Sequence, residues 1–358
     1  MPAPLLLLSV LLTISATGCA TVGAFDRSPA RSEARSAVLT RAQVWRPTAI
    51  RAANITRGPQ GPGAVRARAT VRCEYVDKKL NGNSPKFVCR IGEDDEIKVK
   101  YGGTNGEVYG EMLATRLLWA LGFGADAMYT VNVICHGCPA TLGGIERPGE
   151  ESRFDPAVIE RKLPGVEWPP DGESGWSWQE IDETDPKRGG APQAHRDALK
   201  LLAVFMQHSD SKPQQQRIVC LGRLDAAGAC RRPFLMISDV GLTFGAATRA
   251  NDNDRTGVNL DRWRRTPVWK DEADCVGNLP RSFTGTLDNP VISEAGRRFL
   301  SNLLVQLSDV QIRDLFEAAQ VNLRLRSPAD ASSGLAPVGE WVAAFKEKRT
   351  EILMRRCA

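Results

Sequence analysis

The sequence predicts an α+β protein, in which a small antiparallel sheet in the first half is followed by a mainly helical second half, together forming one bilobal domain. Three observations predict it. Residues 67–76, 86–91 and 96–101 read as consecutive strands separated by turn-rich stretches. A helix follows directly over residues 107–121. Residues 194–207, and most of the chain beyond about 290, carry apolar side chains at helical spacing. A chain of 358 residues, 42% hydrophobic and 25% charged, is long enough to bury such a core. The net charge of +5 is spread along the chain with no basic block, so nucleic acid is not an expected partner.

Taken in order, residues 5–14 form a short apolar run followed by small residues and Cys19. That pattern is a signal-peptide core, too short to span a bilayer as a mature helix. Ser15-Ala16-Thr17-Gly18-Cys19 resembles a bacterial lipobox, although Ala16 stands where Leu is usual. The resemblance implies removal of residues 1–19 up to Cys19, lipidation of Cys19, and a membrane-anchored protein of the cell envelope. Simple cleavage near Gly18 or Ala20 is the alternative. Residues 20–66 are rich in Arg, Ala, Pro and Gly, with Gly58 to Gly63 as strong punctuation, and read as a flexible tether.

Export gives the cysteines a meaning. Nine less Cys19 leaves eight, an even number for an oxidising compartment. Sequence does not fix the connectivity. Cys73 and Cys89 flank one hairpin and Cys220 and Cys230 another, which leaves Cys275, Cys357 and the Cys135-x-x-Cys138 pair. A zinc site would need two more ligands at similar spacing, and the chain has only three histidines. Cys135-x-x-Cys138 therefore reads as a structural disulfide or turn.

The first lobe is expected over residues 67–140. Its helix places Ala114, Leu117, Leu118 and Leu121 on one face, with Gly122 as its stop signal. Glu111 sits mid-helix beside that stripe, and residues 128–134 read as a further buried strand. The second lobe is expected over residues 141–358, with a polar insertion at about 143–190 that carries Trp168, Trp176 and Trp178. The helix over 194–207 runs straight into His208. Ser308-Asp309-Val310-Gln311 is a capping box for a later helix.

Two loops stand out. Gln207-His208-Ser209-Asp210-Ser211-Lys212-Pro213 has the spacing H-x-D-x-K-P, and Asp239-Val240-Gly241 is a D-x-G directly after an apolar run. Either alone is an ordinary solvated loop. In order, with a feeder helix before and strands between, they resemble the catalytic and metal-binding loops of the protein-kinase-like superfamily over residues 67–250. The short D-x-G without Phe, the export signal and the cysteines look more like its atypical branches, which include the HipA-like, lipid-kinase-like and secretory-pathway kinases.

The resemblance implies a phosphotransferase that uses ATP with Mg²⁺ or Mn²⁺, its partners being the nucleotide and an unknown acceptor. Asp210 would be the catalytic carboxylate, Lys212 the phosphate-facing lysine and His208 a structural histidine. The strand lysine falls on Lys98 or Lys100, which share a face because strand side chains alternate, and its helix partner on Glu111. The metal would be held by Asp239 and by Gln215, which stands where the family has Asn. The family's glycine-rich loop is reduced to Gly82 in Asn81-Gly82-Asn83-Ser84, where backbone amides could cap a phosphate. Gln215 and this thin loop keep open an alternative, a catalytically degenerate kinase-fold binding module of the cell envelope. A third reading, a disulfide-stapled envelope lipoprotein with accidental motifs, would leave Asp210, Asp239 and the strand lysines scattered.

Overall fold

Alternation along the early strands builds a closed barrel. The computed structural model describes residues 29–139, 141–142, 145–146, 150–170, 175–324 and 336–357. The expected signal peptide, the lipobox with Cys19 and the start of the tether lie outside the described residues. A helix α1 (Pro29–Arg41) comes first, then strands β1 (Ala69–Val76), β2 (Lys86–Ile91) and β3 (Asp95–Tyr101), and helix α2 (Gly106–Leu121). A short strand β4 (Gly124–Ala125) precedes β5 (Ala127–His136) and β6 (Glu151–Arg161). The barrel order is β1-β2-β3-β6-β5, closed by a parallel pairing of β5 with β1. Phe87, Cys89, Ile97, Val99, Tyr101, Val131, Val133, Phe154 and Ile159 fill its interior. The alternate positions, among them Lys86, Lys98, Lys100 and Glu160, therefore point outward.

Helix α2 packs across that outer face. The Asn105 side chain caps it by accepting from Glu107 N–H, and Gly122 ends it in the left-handed region at φ 89°. The expected stripe of Ala114, Leu117, Leu118 and Leu121 is buried, but so is nearly every other position of the helix, because it is sandwiched between the barrel and the second half of the chain. There a second sheet forms from β4, β7 (Val166–Glu167), β8 (Gln216–Cys220) and β9 (Pro233–Ile237), in the order β4-β9-β8-β7. Helices α3 (Gln193–Met206), α4 (Glu294–Leu304), α5 (Asp309–Ala318) and α6 (Val338–Met354) pack around Phe205, Trp263, Phe316, Trp341 and Phe345. The capping box at Ser308 and Gln311 forms as expected. The mixed α+β character of the sequence reading holds. Among the described residues, no helix is long and apolar enough to cross a membrane.

Two expectations are corrected. The tether reading of 20–66 fails for its described part, residues 29–66. Val38, Leu39, Ala42, Val44, Ile50 and Ile55 are all buried in the main core. Gln43 bridges to Phe234 at the edge of β9, and Trp45 to Phe123. The apolar residues are spaced irregularly because much of this arm is extended and inserts single side chains, which leaves no helical or strand period to read. The first sheet also does not stop at residue 140. β6 lies within the stretch read as an insertion of the second lobe, yet it pairs with both β3 and β5. Its charged outer residues and Pro156 disguised the alternation. The insertion's Trp168, Trp176 and Trp178 are buried.

All eight described cysteines pair, as Cys73–Cys89, Cys135–Cys138, Cys220–Cys230 and Cys275–Cys357. Each bridge stabilises the fold by about 2–4 kcal/mol. Four bridges are consistent with an exported protein.

The arm is open to a direct test. Leu39→Ala should lower the unfolding free energy by about 2–5 kcal/mol, as for a core leucine, read from denaturant midpoints. An unchanged midpoint would restore the tether.

Candidate functional site

The site is assembled where three segments meet: the outer face of β3, the first turns of α2, and the loops that enter β8 and leave β9. Helix α3 ends at Gln207, which adopts the left-handed conformation at φ 55°. Its side chain donates to Val204 O and Asn278 O and accepts from Ala247 N–H. Those bonds fix the turn that brings in His208 to Lys212. Ser209 N–H then donates to Leu242 O, while Ser238 and Asp239 N–H both donate to the Gln215 carbonyl. The two loops singled out in the sequence are thus stitched to each other through their backbones.

The two strand lysines have different partners. Lys100 is 1% exposed; its Nζ forms an ion pair with Glu111 Oε1, donates to Glu107 Oε2 at 3.0 Å and lies 3.6 Å from Asp239 Oδ1. Lys98 turns instead to Glu160. Burial opposes charge on Lys100, but Asp239, Glu111 and Glu107 outweigh it and hold the ammonium well above the ordinary lysine value. Burial pushes the Glu111 carboxyl well up, against the pull of Lys100, and the Asp239 charge adds to the rise. For Asp239 the burial penalty is outweighed by Lys100, and its carboxyl sits below the usual range.

Two glycines permit this approach. A Cβ on Gly110 would fall 2.2 Å from Gly241 O, and one on Gly241 would fall 2.7 Å from Glu107 Cγ. Gly241 is needed for contact with α2, and its backbone does not enter the left-handed region.

Asp210 is 8% exposed. Its Oδ2 accepts from Lys212 Nζ at 2.9 Å and from Gln215 Nε2 at 2.7 Å, and its Oδ1 from Asn251 Nδ2 at 3.2 Å. Gln215 thus gives its amide nitrogen to Asp210, and the acidic groups gathered with Asp239 are Glu107 and Glu111. Ligand oxygens of those three residues lie within 4.8 Å of one another, a spacing a divalent cation can bridge. Glu107 and Asn251 were missed by the sequence reading. Glu107 was open to discovery, being one helical turn before Glu111. Asn251 follows Asp210 by 41 residues, and no spacing signals it.

A second charged network backs the loop. Arg217 bonds Glu167 at 2.8 Å, Asp126 at 3.0 Å and the Ser238 hydroxyl, immediately before Asp239. Burial, reinforced by Glu160 and opposed by Arg217, pushes the Asp126 carboxyl up to about 6.

His208 is fully buried, and neither ring nitrogen has a hydrogen-bond partner among the described residues. Burial pushes it down to about 4, although Asp210 and Asp239 act in the opposite direction.

No protein-family model matches this chain, and no curated protein does. Among solved structures, the crystal structure of a Helicobacter pylori proinflammatory kinase, CtkA, is similar at 11% sequence identity and a TM-score of 0.44, covering 80% of this chain and 96% of that chain.

The neutral, buried His208 sets a pH dependence. Its folded value of about 4 lies below the unfolded value near 6.5, so the unfolded chain takes up the proton first and stability falls as pH drops through that window. Between pH 7.5 and 4.5 the group should remove about 2–3 kcal/mol of stability. His208→Gln should shrink the acid sensitivity of urea unfolding by that amount; an unchanged pH profile would refute the assignment.

Proposed function

We propose that this chain is a kinase-like phosphotransferase of the cell envelope, moving the terminal phosphoryl group of a nucleotide to an acceptor hydroxyl. One observation carries the reading. Lys100, Glu111 and Asp239 come together from a strand, a helix and a loop, and the loop bearing Asp210 is bonded to the loop bearing Asp239. Phosphoryl transfer needs positioned cations for the phosphates, carboxylates for a divalent metal, and a carboxylate to orient the acceptor. The convergence also disfavours accidental motifs, which would have left these groups apart.

In this reading Asp210 accepts the proton as the acceptor oxygen bonds to the terminal phosphorus and the bond to the departing nucleotide breaks. Lys212, bound to Asp210, would face the phosphates. Asn251 and Gln215 fix the plane of the Asp210 carboxylate. Mg²⁺ or Mn²⁺ would be held by Asp239, with Glu107 or Glu111 beside it, and would neutralise phosphate charge when bound. Lys98 stays committed to Glu160 and supports the strand. Lipidation of Cys19 would anchor the protein to a membrane, with the disulfides formed on the exported side. A second reading, a nucleotide- or partner-binding module without transfer activity, is favoured by the burial of Lys100 among carboxylates.

Two measurements separate these readings. ATP with Mg²⁺ or Mn²⁺ should raise the thermal midpoint, by about 2.7 kcal/mol of stabilisation at a hundredfold excess over Kd. Asp239→Ala should abolish the metal-dependent part. The absence of any shift in the wild type would sink the nucleotide site. Once an acceptor is found, Asp210→Asn should keep nucleotide binding and lose about 100- to 10,000-fold in transfer rate. Nucleotide binding with no transfer to any acceptor would leave the binding module.

A further inference from the structure

The phosphate contact normally expected of a strand lysine is not open to Lys100. An ammonium has three N–H donors. Those of Lys100 face Glu111, Glu107 and Asp239, and the side chain is 1% exposed. An arriving polyphosphate would have to displace a carboxylate before touching it.

Another cation stands beside it uncommitted. Lys86, the first residue of β2, lies directly opposite Lys100 in the β2–β3 ladder, so both side chains leave the barrel on the same outer face. Lys86 is half-buried and makes no ion pair among the described residues; its Nζ bonds only the Ser84 hydroxyl, at 3.3 Å. Two of its donors are therefore free. The turn before it is shaped around the ammonium: a Cβ on Gly82, where φ is 90°, would come within 2.8 Å of Lys86 Nζ. The charge also belongs to the same cluster. Burial lowers the Lys86 value, the like charges of Lys100 and Lys98 lower it further, and Glu107 and Asp239 act against them. An anion placed there would relieve both penalties.

We propose that Lys86, roofed by the turn at residues 82–84, is the residue that receives the terminal phosphates of a nucleoside triphosphate, while Lys100 organises the carboxylates beneath. Gly82 takes a left-handed φ of 90°, which glycine adopts freely, and brings the turn to within reach of the Lys86 ammonium. The proposal rests on the nucleotide-binding reading above and goes beyond it in assigning the phosphate contact to a different strand.

The test compares the full chain with Lys86→Ala, Lys86→Gln and Lys86→Arg by calorimetric titration with MgATP and with AMP. Loss of a charge-assisted contact should weaken MgATP binding by about tenfold or more in the two neutral variants. AMP binding should be unchanged, and Lys86→Arg should keep most of the MgATP affinity. Lys86 carries no ion pair, so the ligand-free melting temperature should be preserved; should Lys86→Ala melt early, the contrast of Lys86→Gln with Lys86→Arg decides. If the wild type binds MgATP and the neutral variants bind it equally well, this inference fails and the nucleotide site stands. If the wild type binds neither MgATP nor AMP, both fail.

Discussion

The ammonium of Lys100, buried among Glu111, Glu107 and Asp239, is the interaction on which the rest of the arrangement depends. Stripping water from these groups is expensive, and their mutual attraction repays it only if the geometry is held closely; removing one partner of such a set typically costs about 3–5 kcal/mol. Holding the geometry makes demands on distant parts of the chain. Strand β3 must present Lys100 outward, which fixes the barrel register. Helix α2 must lie close enough for Glu107 and Glu111 to reach the same ammonium. The Asp239 loop must press against that helix, which leaves no space for a Cβ at Gly110 or Gly241.

The surrounding structure can be read as the means of meeting those demands. The barrel is closed and its adjacent β1 and β2 are joined by Cys73–Cys89; β3 is paired on both edges, with β2 and β6, and has little freedom to slip. The Arg217 network ties Ser238, and with it Asp239, to Asp126 between β4 and β5 and to Glu167 on β7. Glu160 sits between the two charged groups, bonded to Lys98 on one side and 4.0 Å from Arg217 on the other. The N-terminal arm works on a larger scale. It joins β9 through Gln43, packs against the start of β4 through Trp45, and receives the Arg116 guanidinium from α2 on the carbonyls of Ile55 and Thr56. The same arm thus fastens α2 and the second sheet, the two supports of the site.

What could be read from the sequence follows from how local each signal was. The strands of residues 69–101, the helix ending at Gly122 and the capping box at Ser308 are written in a few consecutive residues, and they emerge with boundaries close to those expected. The disulfides Cys73–Cys89 and Cys220–Cys230 follow hairpins, so proximity in sequence pointed to proximity in space. That the two loops at Asp210 and Asp239 lie together was legible because two antiparallel strands of five residues, Gln216–Cys220 and Pro233–Ile237, separate them and return the chain to its starting point. The arm, strand β6 and Asn251 were not legible, because each is defined by what it meets elsewhere: scattered core positions, a barrel gap and the open side of Asp210. The side-chain destination of Gln215 was hidden for a related reason. An amide offers an oxygen to a metal and N–H groups to a carboxylate, and only the position of Asp210 shows where the nitrogen goes.

The charge balance of the cluster bears on what the site is built to receive. One ammonium among three carboxylates leaves formal negative charge at the cluster, where burial first, and then the Asp239 charge, push Glu111 up against the pull of Lys100. Such a cluster has two ways to settle. It can take up a proton on Glu111, or it can accept a cation, which would draw the carboxylates away from Lys100 and loosen its hold on Glu107. On the proposed reading, a nucleotide arriving with its divalent metal would bring a cation for the carboxylates and an anion for Lys86, whereas free nucleotide would bring only the second and meet the repulsion of the first. On the proposed nucleotide reading, metal dependence would follow from this cluster's electrostatics. It also separates the phosphate-transfer reading from a cleft that merely accommodates a partner's side chain.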